Sequence, residues 1–237
     1  MKNNALYLKT LGLIGGMSWE STVPYYQIIN RTIQAKLGGL HSAKLLLHSV
    51  DFADIAELQR SNQWDKAAVQ LTTIAQNLAH AGAQALVICT NTMHKLADEV
   101  QAGIPIPLLH IADPTAQAIK AAGFHTVGLL GTRFTMEQDF YRSRLENTHG
   151  LTVLTPPQPE RDAVHRIIFD ELCLGKVQDA SRHAYQQIIA NLQAQGAQAV
   201  ILGCTEIAML VRPQDCAVPL FDTTTLHATH AARWAMA

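Results

Sequence analysis

One stretch of the chain occurs twice, and it constrains the fold more than any other feature. Gly82-Ala83-Gln84-Ala85-Leu86-Val87-Ile88-Cys89-Thr90-Asn91 returns as Gly196-Ala197-Gln198-Ala199-Val200-Ile201-Leu202-Gly203-Cys204-Thr205-Glu206. Each copy reads as a glycine stop, a continuous apolar run of buried-strand length, and small reactive side chains where the strand ends. Other elements repeat with it. Thr10-x-Gly12-x-x-Gly15 returns as Thr126-x-Gly128-x-x-Gly131 at an offset of 116 residues, Gly82 as Gly196 at 114, and Pro107 as Pro219 at 112. An offset that drifts this slowly predicts two similar α/β lobes, ahead of one doubly wound domain whose units merely resemble one another.

Around these copies, apolar runs and breakers alternate. Strands are expected at Leu11–Ile14, Lys44–Val50, Ala85–Ile88, Ile106–Ile111, Val127–Gly131, Ala199–Leu202 and Val218–Asp222. Pro24 marks the first turn of a helix carrying Tyr25, Ile28, Ile29 and Ile33 on one face. Ser61 is the expected N-cap of a helix with the stripe Trp64, Ala68, Leu71, Ile74, Ala75 and Leu78, and Gly82 stops it. Asp113-Pro114 opens a helix stopped by Gly123, and Ser181 opens one stopped by Gly196. Strands alternating with helices imply parallel sheets covered on both faces. The expected lobes are residues 1–112 plus 211–237, and residues 113–210.

Composition narrows the function. A net charge of -1 and an aromatic share of 6% speak against a nucleic-acid surface. No apolar run approaches the ~20 residues of a membrane helix. Residues 1–10 show no secretory h-region. Cys89, Cys173, Cys204 and Cys216 form no CxxC pair, which suits free thiols in a reducing cytoplasm better than disulfides or zinc. The expected setting is the cytoplasm, with no membrane or nucleic-acid partner and a small-molecule ligand.

Ligands of open α/β sheets bind beyond the carboxyl ends of the strands, where Thr90 and Cys204 stand. Two proton-transfer groups on opposite faces of one carbon are what stereoinversion requires. A thiol, with an ordinary pKa of ~8.5, becomes a base once donors lower it, and Thr205 and the backbone N–H groups after Cys204 are the expected donors. Gly12-Leu13-Ile14-Gly15-Gly16 is not a dinucleotide fingerprint and no phosphate loop is present, so no cofactor is expected.

Ile14-Gly15-Gly16-Met17, Asn91-Thr92-Met93-His94 and Leu202-Gly203-Cys204-Thr205-Glu206, in this order, resemble the cofactor-independent aspartate/glutamate racemase family over nearly the whole chain. The likeness is strongest to the bacterial branch holding broad-specificity and L-aspartate/L-glutamate-specific racemases. The resemblance implies two Rossmann-like lobes related by a pseudo-twofold, a cleft site between them, a two-base mechanism without pyridoxal phosphate, and a homodimer.

Two departures matter. The family's first motif usually reads Cys-Asn-Thr, but here Thr90 precedes Asn91 and Cys89 lies one residue earlier. Gly82 to Thr90 and Gly196 to Cys204 are the same spacing, so Thr90 is paired with Cys204, and Cys89 is the competing candidate, turned to the other face of the strand. The expectation is a racemase with Cys204 as main base and a preference for one enantiomer, L. The family's Pro-Asp-Arg-Thr stretch, whose arginine meets the distal carboxylate, is replaced by Ser49-Val50-Asp51-Phe52. Gln59 is the candidate for that contact, and Arg166 falls near the family's second basic contact.

Asn91, Thr92 and Thr205 are the candidates for holding the α-carboxylate, and Gly16 and Met17 for the floor. Glu206 either binds the ammonium group or caps the following helix. His94 either orients the first motif or is structural, and His110 and Asp222 are open between the cleft and the core. Cys173 reads as packing and Cys216 as incidental, while His227 and His230 lack a third metal ligand. A decarboxylase or cis–trans isomerase relying on Cys204, or a non-catalytic amino-acid binder, are the alternative functions.

Overall fold

The computed structural model describes residues 7–237. The opening residues read above for a leader therefore lie partly outside it. The chain divides into two units.

The first unit holds residues 7–89, 96–110 and 227–237. Its elements run β1 (Leu11–Gly15), α1 (Trp19–Leu37), β2 (Leu45–Ser49), α2 (Phe52–Arg60), α3 (Trp64–His80), β3 (Ala85–Ile88) and, after the loop, α4 (Ala97–Ala102). The sheet is parallel in the order β2-β1-β3, with Leu11 facing Leu45 on one side and Ala85 on the other. Every residue of β1 and β3 is buried, which is why both read as unbroken apolar runs. Leu11, Leu13, Ala85, Val87 and Cys89 pack against Tyr25, Ile29 and Ile33 of α1 and a stripe of alanines, Ala228, Ala231, Ala232 and Ala235. On the opposite face the bare Cα of Gly12 lets α3 approach, since a Cβ there would lie 3.2 Å from the Leu78 Cβ.

The second unit holds residues 90–95 and 111–226. It runs α5 (Ala112–Ala121), β4 (Thr126–Gly131), α6 (Arg133–Glu137), α7 (Asp139–Ser143), β5 (Thr152–Leu154), α8 (Gln158–Asp170), α9 (Asp179–Ala194), β6 (Ala199–Gly203), α10 (Ile207–Leu210) and β7 (Leu220–Asp222), and the first residues of α11 (Thr223–Met236) belong to it as well. Its four strands are parallel in the order β5-β4-β6-β7. Val127, Leu129, Ala199 and Ile201 pack with Ile119, Tyr141 and Leu145 in one core. Leu130, Val200 and Leu202 pack with Val164, Ile168, Tyr185 and Ile188 in the other. The two faces alternate along β4 and β6 with the period of a strand.

Four local expectations are corrected. The run Ile106–Ile111 forms no strand; it makes a single bridge, Leu86 to Leu108. Pro107 has no N–H to give a ladder, and the Gln101 side chain binds both the Ile106 carbonyl and the Leu108 N–H in place of a strand partner. Ser61 closes α2, its hydroxyl donating to the Glu57 carbonyl, and Gln63 precedes α3. The helix placed at Pro24 begins five residues earlier, at Trp19, with the Ser21 and Thr22 hydroxyls bonded back to the Ser18 carbonyl. α9 starts at Asp179, two residues before Ser181. Among the described residues no helix is long and apolar enough to cross a membrane.

Candidate active site

The two copies of the repeated stretch end differently. After β3, Cys89 continues the strand for one step, its N–H bonded to the Ile14 carbonyl. Its side chain follows Ala85 and Val87 into the core under α1 and is fully buried. Burial pushes this thiol above its ordinary range, and it packs as an apolar group in the core under α1. Thr90 is half-buried and opens the six-residue segment that packs with the second unit.

Side chains on both sides tie that segment down. His94 bridges it: the Ile111 N–H donates to Nε2 at 3.2 Å, which leaves Nδ1 to donate to the Thr90 carbonyl at 2.8 Å. His94 therefore fixes the Thr90 backbone. Thr223 donates its hydroxyl proton to the Leu202 carbonyl at 2.8 Å, so it can only accept from the Asn91 amide at 3.0 Å. This sets the orientation of the Asn91 amide and leaves its Oδ1 buried without a partner among the described residues. A buried acceptor in that position is suited to a donor.

Thr92 joins Thr132 at 2.9 Å and Thr135 at 3.5 Å, and these two are 3.2 Å apart. The three buried hydroxyls stand where β4 ends, and Thr135 packs beside Gly203. Thr132, Thr135 and Thr223 were missed in the sequence. The available signal was the place of Thr132 and Thr223 directly after Gly131 and Asp222, at the carboxyl ends of β4 and β7, with Thr135 one helical turn beyond Thr132.

At the end of β6, Cys204 follows Val200 and Leu202 on the face toward α8 and α9. Its Sγ–H donates to Glu206 Oε2 at 3.0 Å, and the Thr205 hydroxyl donates to the same oxygen at 2.7 Å. All three residues are buried. Burial first, and then the Glu206 carboxylate, raise the Cys204 thiol well above its ordinary range. The Glu206 backbone N–H acts in the other direction and is outweighed. Of the donors expected to lower this thiol, the Glu206 N–H does so, while Thr205 donates to Glu206 instead, and the net shift is upward. Glu206 makes no side-chain cap to α10.

The remaining candidates lie on other elements. Gly16, Met17 and Gln59 lie in the first unit, with Met17 and Gln59 buried. Gly16 has φ +91°, and a Cβ would fall 2.3 Å from the Val50 carbonyl oxygen. Its bareness serves the close approach of β1 and the Val50 backbone. Gly16→Ala is therefore expected to destabilise the protein by about 3 kcal/mol, read as a lowered urea midpoint. Arg166 is exposed on α8, on the side away from Val164, Ile167 and Ile168. His227 is spoken for: Nε2 donates to the Leu109 carbonyl at 2.7 Å and Nδ1 accepts from the Tyr25 hydroxyl at 2.9 Å, a structural tie and not a metal ligand.

A buried thiol–carboxylate pair ends β6, and buried hydroxyls and an unpartnered amide oxygen lie in the same unit of this two-sheet α/β protein. The Asp/Glu/Hydantoin racemase family matches residues 14–231, so the chain belongs to that family and to the racemase class of isomerases. A Yersinia pestis protein provisionally assigned as an Asp/Glu racemase is 56% identical, with a TM-score of 0.90 over 97% of this chain and 100% of its own. An aspartate racemase homologue from Pyrococcus horikoshii is 32% identical, with a TM-score of 0.82 over 96% of this chain and 99% of its own. The broad specificity amino-acid racemase RacX of Bacillus subtilis is 22% identical over 219 residues, 90% of this chain and 92% of its own.

Proposed function

We propose that the chain racemises aspartate, glutamate or a wider set of amino acids without a cofactor, with Cys204 and Thr90 serving opposite faces of the α-carbon. The observation that carries this reading is the buried Cys204–Glu206 pair. Glu206 accepts the thiol proton, the resulting thiolate removes the α-hydrogen, and the Thr90 hydroxyl passes a proton from water to the other face. Asn91 Oδ1 receives the substrate ammonium, and Thr92 with Thr132 holds the α-carboxylate. Gln59 and Arg166 remain the proposed contacts for the distal group. The names of the relatives support the substrate class. An exposed stripe on α1, Trp19, Val23 and Tyr26, supports a homodimer, and a cytoplasmic setting completes the reading.

Incubation with L- and D-aspartate or glutamate in deuterium oxide tests it. Loss of the α-proton signal with no added cofactor is expected; binding without exchange would leave a passive binder. Under the same assay Cys89→Ala is expected to retain exchange within about threefold, because its side chain packs in the core under α1, on the strand face opposite to that of Thr90. Thr90→Ala is expected to lower it by about 10²-fold. The reverse pattern would transfer the first face to Cys89.

The protonated thiol also favours a second reading. A group that holds its proton at rest can quench a carbanion left by decarboxylation. Carbon dioxide release from a substituted malonate, with no exchange of amino-acid α-hydrogens, would select that chemistry.

A further inference from the structure

The second unit contains a cavity of about 520 Å³ that the proton-transfer site does not use. Its apolar wall is built from Leu202, Val211, Leu220 and Leu226. Two charged groups face it, Arg212 and Asp222. Arg212 is exposed and enters none of the ion pairs among the described residues. The Asp222 carboxylate is held in place by the Thr224 N–H at 3.0 Å and the Thr225 hydroxyl at 2.5 Å. Each of its oxygens keeps a second lone pair for another donor.

We propose that this cavity binds a free α-amino acid with an apolar side chain, at a position separate from Cys204. One guanidinium and one carboxylate beside an apolar wall match a zwitterion with a hydrocarbon body. The carboxylate goes to Arg212, where a guanidinium can bind it through two parallel N–H groups. The ammonium group goes to Asp222, and the side chain lies against Leu202, Val211, Leu220 and Leu226. The volume suits such a ligand, lying within the usual ~300–1,000 Å³ of small-molecule sites. A fatty acid would leave Asp222 facing hydrocarbon, and an aspartate or glutamate would set a second carboxylate against the apolar wall; both conflict with the groups present. The inference does not depend on the racemase reading, because it is tested by binding alone.

Calorimetric titration of the whole protein with L-leucine provides the test, with 4-methylpentanoate as the probe lacking the ammonium group and glycine as the probe lacking the side chain. Leucine is expected to bind with a Kd at or below about 1 mM, and each truncated probe at least tenfold more weakly. Arg212→Gln is expected to weaken leucine about tenfold. Ala208→Leu, which fills part of the cavity, is expected to abolish the heat of binding. Cys204→Ser is expected to bind leucine as the native protein does. Unaltered circular dichroism of the Arg212 and Ala208 variants certifies their fold. Three results each overturn the assignment: no heat with leucine at 10-fold the expected Kd, equal binding of 4-methylpentanoate, or leucine binding untouched by Arg212→Gln and Ala208→Leu but lost in Cys204→Ser.

Discussion

Replacing Cys204 with serine is expected to lower the rate of α-hydrogen exchange by about 10³-fold while leaving KM within a few-fold of the native value. The magnitude is that of removing a positioned acid–base group, roughly 10²–10⁴. Serine occupies nearly the same space and can donate to Glu206 Oε2 as the thiol does at 3.0 Å, so packing against Val200 and Leu202 persists. What is lost is acidity: a hydroxyl in this buried place does not yield its proton to a carboxylate on the timescale of turnover. The proposed substrate contacts, Asn91, Thr92 and Thr132, are untouched, which is why the loss belongs in kcat. Initial rates of deuterium incorporation measured by proton NMR settle the matter. Exchange within tenfold of native would remove Cys204 from the reaction.

Glu206→Gln is the second large effect, about 10²-fold, and it carries a pH signature. In the native site the Glu206 carboxylate raises the thiol by its charge and by accepting the Sγ–H. An amide removes the negative charge and offers an N–H to the thiolate, so the Cys204 thiol titrates at a lower pH than in the native protein, though burial still holds it above the ordinary range. Thiolate absorbance in the ultraviolet should therefore appear earlier on raising the pH, while turnover falls because the proton acceptor is gone. A purely structural Glu206 would not couple these two readouts in opposite directions. Faster exchange in the variant would show that Glu206 restrains the thiol and does not assist it.

The repeated elements were legible because each rests on strong local rules. β3 and the core of β6 follow from uninterrupted apolar runs after a glycine, and the parallel sheets follow from the alternation with helices. The same counting placed Thr90 opposite Cys204 in the repeat and turned Cys89 to the other side of the strand, where the structure buries it. Short elements without a pattern were not legible. β5 is three residues long, and α2 is announced only by Asp51, whose carboxylate accepts the Ala53 N–H. Gln101 standing in for a strand partner at Leu108 is a tertiary arrangement no local window reveals. In the site, the residue types were visible and their protonation was not. Whether a thiol is lowered or raised depends on burial and on which way a neighbouring carboxylate points, and both are properties of the folded chain.

The strands β3 and β6 end in unlike groups, a hydroxyl at Thr90 and a thiol at Cys204, and detailed balance limits what such lopsidedness can do. The two enantiomers of an amino acid have equal free energy in water, and both directions of racemisation cross the same highest barrier. Since kcat/KM measures that barrier from free enzyme and free substrate, it must be equal for the two hands however different the two groups are. Unequal acidity can therefore surface only in kcat and KM taken separately, or in how often a deprotonated substrate recaptures a proton on the face it came from. The proposed L preference then becomes a partition ratio: deuterium washed into recovered L substrate, counted against D product formed.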